Sequence, residues 1–69
     1  MEVTNSYDKT LDAAYIQFTA QQPQGAIELE QGVMLHVTDR DEIVALEILD
    51  ASKHLQVQNL FSLEVVETP

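Results

Sequence analysis

Between Ala26 and Val37 the chain reads AIELEQGVMLHV. Its apolar residues Ile27, Leu29, Val33, Leu35 and Val37 all fall at odd positions, and Glu28, Glu30 and His36 at even ones. Successive side chains of a strand point to opposite faces, so this period of two describes two half-buried strands and does not fit an amphipathic helix. Gln31-Gly32 separates them. Glycine at that point supplies the positive φ a tight hairpin demands, which predicts strands near 26–30 and 33–38 joined by this turn.

The same rhythm extends in both directions. After the polar turn TDRDE, residues 38–42, the run EIVALEILD carries Glu47 as its one interior charge. Val44, Leu46 and Ile48 share one face, with Ile43, Ala45 and Leu49 on the other; both faces need cover, which marks this segment as the central strand. Upstream, EVTNSY and AAYIQFT are rich in β-branched and aromatic residues and form a first hairpin around Lys9-Thr10-Leu11. AQQPQG, residues 20–25, is an exposed loop. Asp50 precedes Ala51 as the N-cap expected of a short helix, with Ser52 supporting its start. Residues 56–69 fit two patterns, a helix through Leu60, Leu63 and Glu64 or an edge strand through Leu63, Val65 and Glu67. The expected fold is a single α+β domain over 1–69, a small antiparallel β-meander of four or five strands with one short helix packed on one face.

Size limits what this fold can bury. A chain of 69 residues removes only about 60% of its unfolded surface from water, so its core is marginal. Cysteine is absent, which excludes disulfides, thiolate metal sites and cysteine nucleophiles together. With 45% hydrophobic residues and only 2 Gly and 2 Pro, the chain is nonetheless too apolar to be a disordered acidic tail. Self-association is the simplest source of further buried area. A homodimer is expected, with Leu60, Phe61, Leu63, Val65 and Val66 of the apolar C-terminal extension 56–69 as the interaction surface, tightened by salt that screens like charge.

Charge narrows the partners. Twelve Asp and Glu against 3 Lys and Arg give a net charge of −9. Phosphate backbones require clustered cations, whereas Lys9, Arg40 and Lys53 stand singly, so direct nucleic-acid binding is not expected. Anionic membrane surfaces are disfavoured by the same sign, and no apolar run approaches the roughly 20 residues of a spanning helix. The opening MEVTNSYD lacks the basic and apolar stretches of a signal peptide, and a cytoplasmic location is expected. The surplus carboxylates either attract a basic protein or simply keep a small domain soluble.

YDKTLDAAYI, Tyr7 to Ile16, is the segment that most resembles a site. Paired carboxylates can do acid–base work when one is buried, or bind Ca²⁺ when further oxygens converge, but Asp8 and Asp12 lack the repeated Asp/Asn positions, the glycine and the distal Glu of a calcium loop. Asp side chains readily accept backbone N–H bonds two residues on, so the segment reads as a corner. His36 and His54 lack the spacing of metal-ligating pairs; His36 falls on the polar strand face and His54 late in the short helix, where a cation is favoured. Ser6, Ser52 and Ser62 have no nucleophile-elbow glycines, and the two lone glycines form no phosphate loop. Tyr7, Tyr15, Phe18 and Phe61 could together form a recognition surface, but a core role is expected of at least Tyr15 and Phe18. No catalytic residue, metal ligand or cofactor site is assigned.

Taken in order, YDKTLDAAYI, the QGVML turn and EIVALEILDASKHL resemble the prokaryotic family called domain of unknown function 2283. Asp12-Ala13-Ala14-Tyr15-Ile16 and Glu47-Ile48-Leu49-Asp50-Ala51-Ser52 are the most specific pieces, and the resemblance spans about residues 3–55. It implies a β-meander followed by a short helix, and some members look like small partners of toxin-like proteins. The glutamine-rich loop and the tail after Leu55 depart from the pattern. The function expected is a non-catalytic acidic interaction module, an antitoxin-like or regulatory partner of a basic protein, or a mimic of DNA that blocks a nucleic-acid-binding protein. The enzymatic alternative is a small metal-dependent hydrolase using Asp8, Asp12 and a histidine.

Overall fold

A computed structural model describes residues 4–62, and their side chains as far as Asn59. The strands are β1 (Thr4–Asp8), β2 (Ala13–Gln17), β3 (Gly25–Glu30), β4 (Val33–Val37) and β5 (Ile43–Ile48). The helix α1 (Ala51–His54) and a 3-10 helix (Val57–Ser62) follow them. All strand pairs are antiparallel, in the order β1-β2-β5-β4-β3. The α+β class and the central place of EIVALEI stand.

The order corrects the meander. Strands β3, β4 and β5 do follow one another, but β5 then pairs with β2 rather than leaving β3 beside it. Strand β3 consequently lies at the far edge. The link at residues 18–24 crosses the sheet to reach it, and at up to about 3.3–3.6 Å per residue it spans the ~14 Å of three strand spacings with slack. Placing β5 in the middle buries the segment with apolar residues on both faces: Val44 and Ala45 have no exposed surface.

Register sorts the side chains. The row Ile27–Leu35–Leu46–Ile16 runs across one face, while the row Glu28–Met34–Glu47–Tyr15 runs across the other. The first face carries the core, in which Ala14, Ile16, Ile48 and Ala51 are buried with Tyr7, Leu46, Leu55 and Val57 packed against them. Val44 is the largest side chain wholly removed from solvent. The buried core consists of Ala, Val and Ile side chains.

Four turns are set by residues that tolerate a left-handed backbone. Gly32 has φ +83°, and an added Cβ there would stand 3.3 Å from the Leu49 carbonyl oxygen. Asp12, Asp41 and Asp50 also take positive φ, which Asp adopts more readily than most side chains because it can bond locally. In TDRDE the Thr38 hydroxyl accepts the amides of Arg40 and Glu42. Asp50 is a correction: it precedes α1 but its side chain makes no capping bond. The expected strand or helix at 56–69 is a 3-10 helix as far as Ser62. Of the expected interaction residues, Leu63, Val65 and Val66 lie outside the described residues, as do the side chains of Leu60 and Phe61.

Candidate functional site

The corner assembles from both ends of the chain. Asp8 Oδ1 accepts the amides of Thr10 and Leu11 at 2.9 and 3.0 Å, an Asx turn that closes the β1–β2 hairpin. Asp12 turns the other way. Its Oδ1 accepts the Tyr7 hydroxyl at 2.7 Å and the Ser52 amide at 3.1 Å. Its Oδ2 accepts the Ser52 hydroxyl at 2.6 Å. The Asp12 carbonyl oxygen also accepts the Ala51 amide at 2.8 Å. Asp12 therefore does for α1 what an N-cap does, from the start of the neighbouring strand β2, and Asp50 is relieved of that role.

These bonds determine the chemistry available. Hydrogen bonds from Ser52 and then Tyr7 hold the Asp12 carboxyl below its ordinary value of 3.8, since donors favour the charged acceptor. The bond to Asp12, with lesser help from desolvation and neighbouring negative charge, pushes the Tyr7 phenol above its ordinary 10.0. A general acid would need the opposite shift in its carboxyl, and a base would have to give up the bonds that anchor α1. These bonds tie the corner to α1.

The histidines take other partners. His36 Nε2 lies 3.2 Å from Glu47 Oε1 on the open face, with its ring 5.7 Å from that of Tyr15. His54 Nδ1 lies 3.9 Å from Glu30 Oε1, in an open cleft that Gly32, Asp50 and Lys53 also line. Each histidine thus faces a glutamate rather than Asp8 or Asp12, and among the described residues no three His, Asp or Glu converge to hold a metal ion. The residues of the hydrolase alternative are not brought into one cleft.

What sequence reasoning missed is on the core face of the sheet. Phe18, Leu29, Leu35, Ile43 and Leu46 line an apolar groove of about 550 Å³. Phe18, expected in the core, is 38% exposed, with Leu29 at 56% and Ile43 at 51%. Helix α1 and the 3-10 segment cover the Ala14–Ile48 end of this face; the groove is its remainder. Its signal was present: Phe18 continues the parity of Ile16 past the end of β2, and Leu29 and Leu35 share one parity. Among the described residues no helix is long and apolar enough to cross a membrane.

A family model described as a protein of unknown function, DUF2283, matches residues 6–52. That stretch runs from the corner through α1 and contains both Asp12 and Ser52. Comparison with curated proteins and with solved structures finds no match.

Proposed function

The chain belongs to the DUF2283 family, and we propose that it works without catalysis, as an acidic module that engages another protein through the groove on its sheet. The observation that supports this is the groove itself: five apolar side chains from β2's end, β3, β4 and β5, three of them more than a third exposed. An apolar surface gathered on one face of a small domain marks a contact surface more often than scattered exposed residues do. The Asp8 and Asp12 carboxylates are engaged in holding the corner. Net charge −9 steers such a surface toward basic proteins. An antitoxin-like role is one form of this reading, and finding a strongly basic reading frame beside its gene would support it.

The test is comparative capture from the native lysate. Leu29→Thr/Ile43→Thr places β-branched side chains at exposed strand positions, so the variant is expected to fold. Proteins retained by the wild type and lost by the variant support the reading; identical retention by both overturns it.

A second copy of the chain is the other occupant the groove accommodates, and its lining bears no charge to oppose that. Light scattering distinguishes it: a homodimer that tightens with salt and is weakened by removing residues 60–69 favours self-association.

A further inference from the structure

We propose that strand β3 is a docking edge, and that it accepts as a sixth strand an extended segment of a partner in which apolar and cationic residues alternate. This rests on the reading of the chain as an interaction module and names the chemistry of what it binds. Among the described residues strand β3 ends the sheet and pairs with β4 alone, and it is exposed along its whole length. An edge of this kind offers unpaired amides and carbonyls to an incoming backbone, which supplies affinity, while alternate side chains supply selectivity.

The two faces of β3 set the alternation. Ile27 belongs to the apolar row with Leu35 and Leu46, and Leu29 lines the groove. Residues of the added strand beside them extend the groove and meet only apolar surface. Past a register shift, Glu30 has His54 at 3.9 Å and Lys53 in its cleft, whereas Glu28 belongs to the opposite row with Met34 and Glu47, so the residue beside Glu28 meets a carboxylate. Lys or Arg fits there.

The other edge lacks these features. Strand β1 reads TNSYD, with no aliphatic residue, and the 3-10 segment lies against it. A second copy is a poorer occupant of β3. Two-fold pairing centred on residues 28–30 sets Glu28 against Glu28 or Glu30 of the copy, and like charges directly opposite are destabilising.

The experiment titrates the isotopically labelled full chain with synthetic peptides and follows backbone amide shifts and hydrogen exchange. A peptide alternating valine and lysine is expected to shift and protect Gly25 to Glu30. The valine–glutamate peptide, and a valine–lysine peptide N-methylated along one edge, are expected to bind at least roughly tenfold more weakly. Glu28→Lys is expected to reverse the preference between the lysine and glutamate peptides. Equal binding of the N-methylated peptide, shifts centred on β1, or β3 shifts that depend on protein concentration alone would each overturn strand addition. If no peptide binds while Leu29→Thr/Ile43→Thr still loses its captured proteins, strand addition fails and the interaction module survives. If the variant captures the same proteins, both fail.

Discussion

Asp12 and Ser52 stand 40 residues apart, yet the Ser52 hydroxyl donates to Asp12 Oδ2 at 2.6 Å. The contact joins the first hairpin to the helix that follows the last strand, beside the β2–β5 pairing that joins the two halves of the sheet. It gives Asp12 of YDKTLDAAYI a structural task. A carboxylate that accepts two hydroxyls and an amide is a fastening.

Removing either end of this contact is expected to lower the melting temperature by several degrees, as loss of a helix cap in a small domain does. Asp12→Asn sets an amide N–H₂ against the donors of Ser52, and Ser52→Ala removes the hydroxyl. The two act in one network, so the double variant is expected to melt little lower than the worse single one. Thermal denaturation of the three variants checks this.

The pH dependence follows in sign. Asp12 is held below 3.8 in the fold, so its contribution is complete above that pH and is lost as pH falls through the lower folded value. Tyr7, raised above 10.0, contributes fully below that pH and loses its share as pH rises through the folded value. The gap in melting temperature between wild type and Asp12→Asn is therefore expected to be constant near neutrality and to narrow below about pH 4. A gap that widens in acid would contradict the assignment.

Gly32→Ala tests the hairpin turn. The backbone is left-handed there and the new Cβ meets the Leu49 carbonyl oxygen at 3.3 Å. The conformational cost alone is about 1–2 kcal/mol. Denaturant unfolding is expected to show at least that loss, whereas Gly25→Ala, with open space around it, is expected to be nearly neutral or slightly stabilising.

Val44 and Ile43 are neighbours with opposite expectations. Val44 is wholly buried and Ile43 is 51% exposed. Val44→Ala is expected to cost about 2–3 kcal/mol from lost burial and the cavity left behind. Ile43→Thr is expected to cost less than about 1 kcal/mol. The same denaturant titration separates them.

The strands were legible because alternation is local: Ile27 to Val37 states its own period, and Gly32 its own turn. The central position of β5 was legible for a related reason, since apolar residues on both faces of Ile43 to Ile48 need neighbours on both sides. Strand order was not. Nothing between Phe18 and Gln24 says that the chain crosses to the far edge instead of turning back, because that choice belongs to the pairing of β2 with β5. The capping of α1 was misread for the same reason. Asp50 is adjacent to the helix and Asp12 is not, yet distance in the fold decided between them. Phe18 shows the limit of composition: an aromatic residue at the end of an apolar strand was expected inside, and it lines the exposed groove instead.

Binding through the groove is tested most directly by mapping amide shifts of the labelled chain on addition of a protein that the wild type captures and Leu29→Thr/Ile43→Thr does not. The shifts are expected at Phe18, Leu29, Leu35, Ile43 and Leu46 and along β3, with those of Tyr7, Asp8 and Asp12 unmoved. Shifts centred on the Tyr7–Asp12 corner, or on His36 and Glu47 of the opposite face, would contradict it.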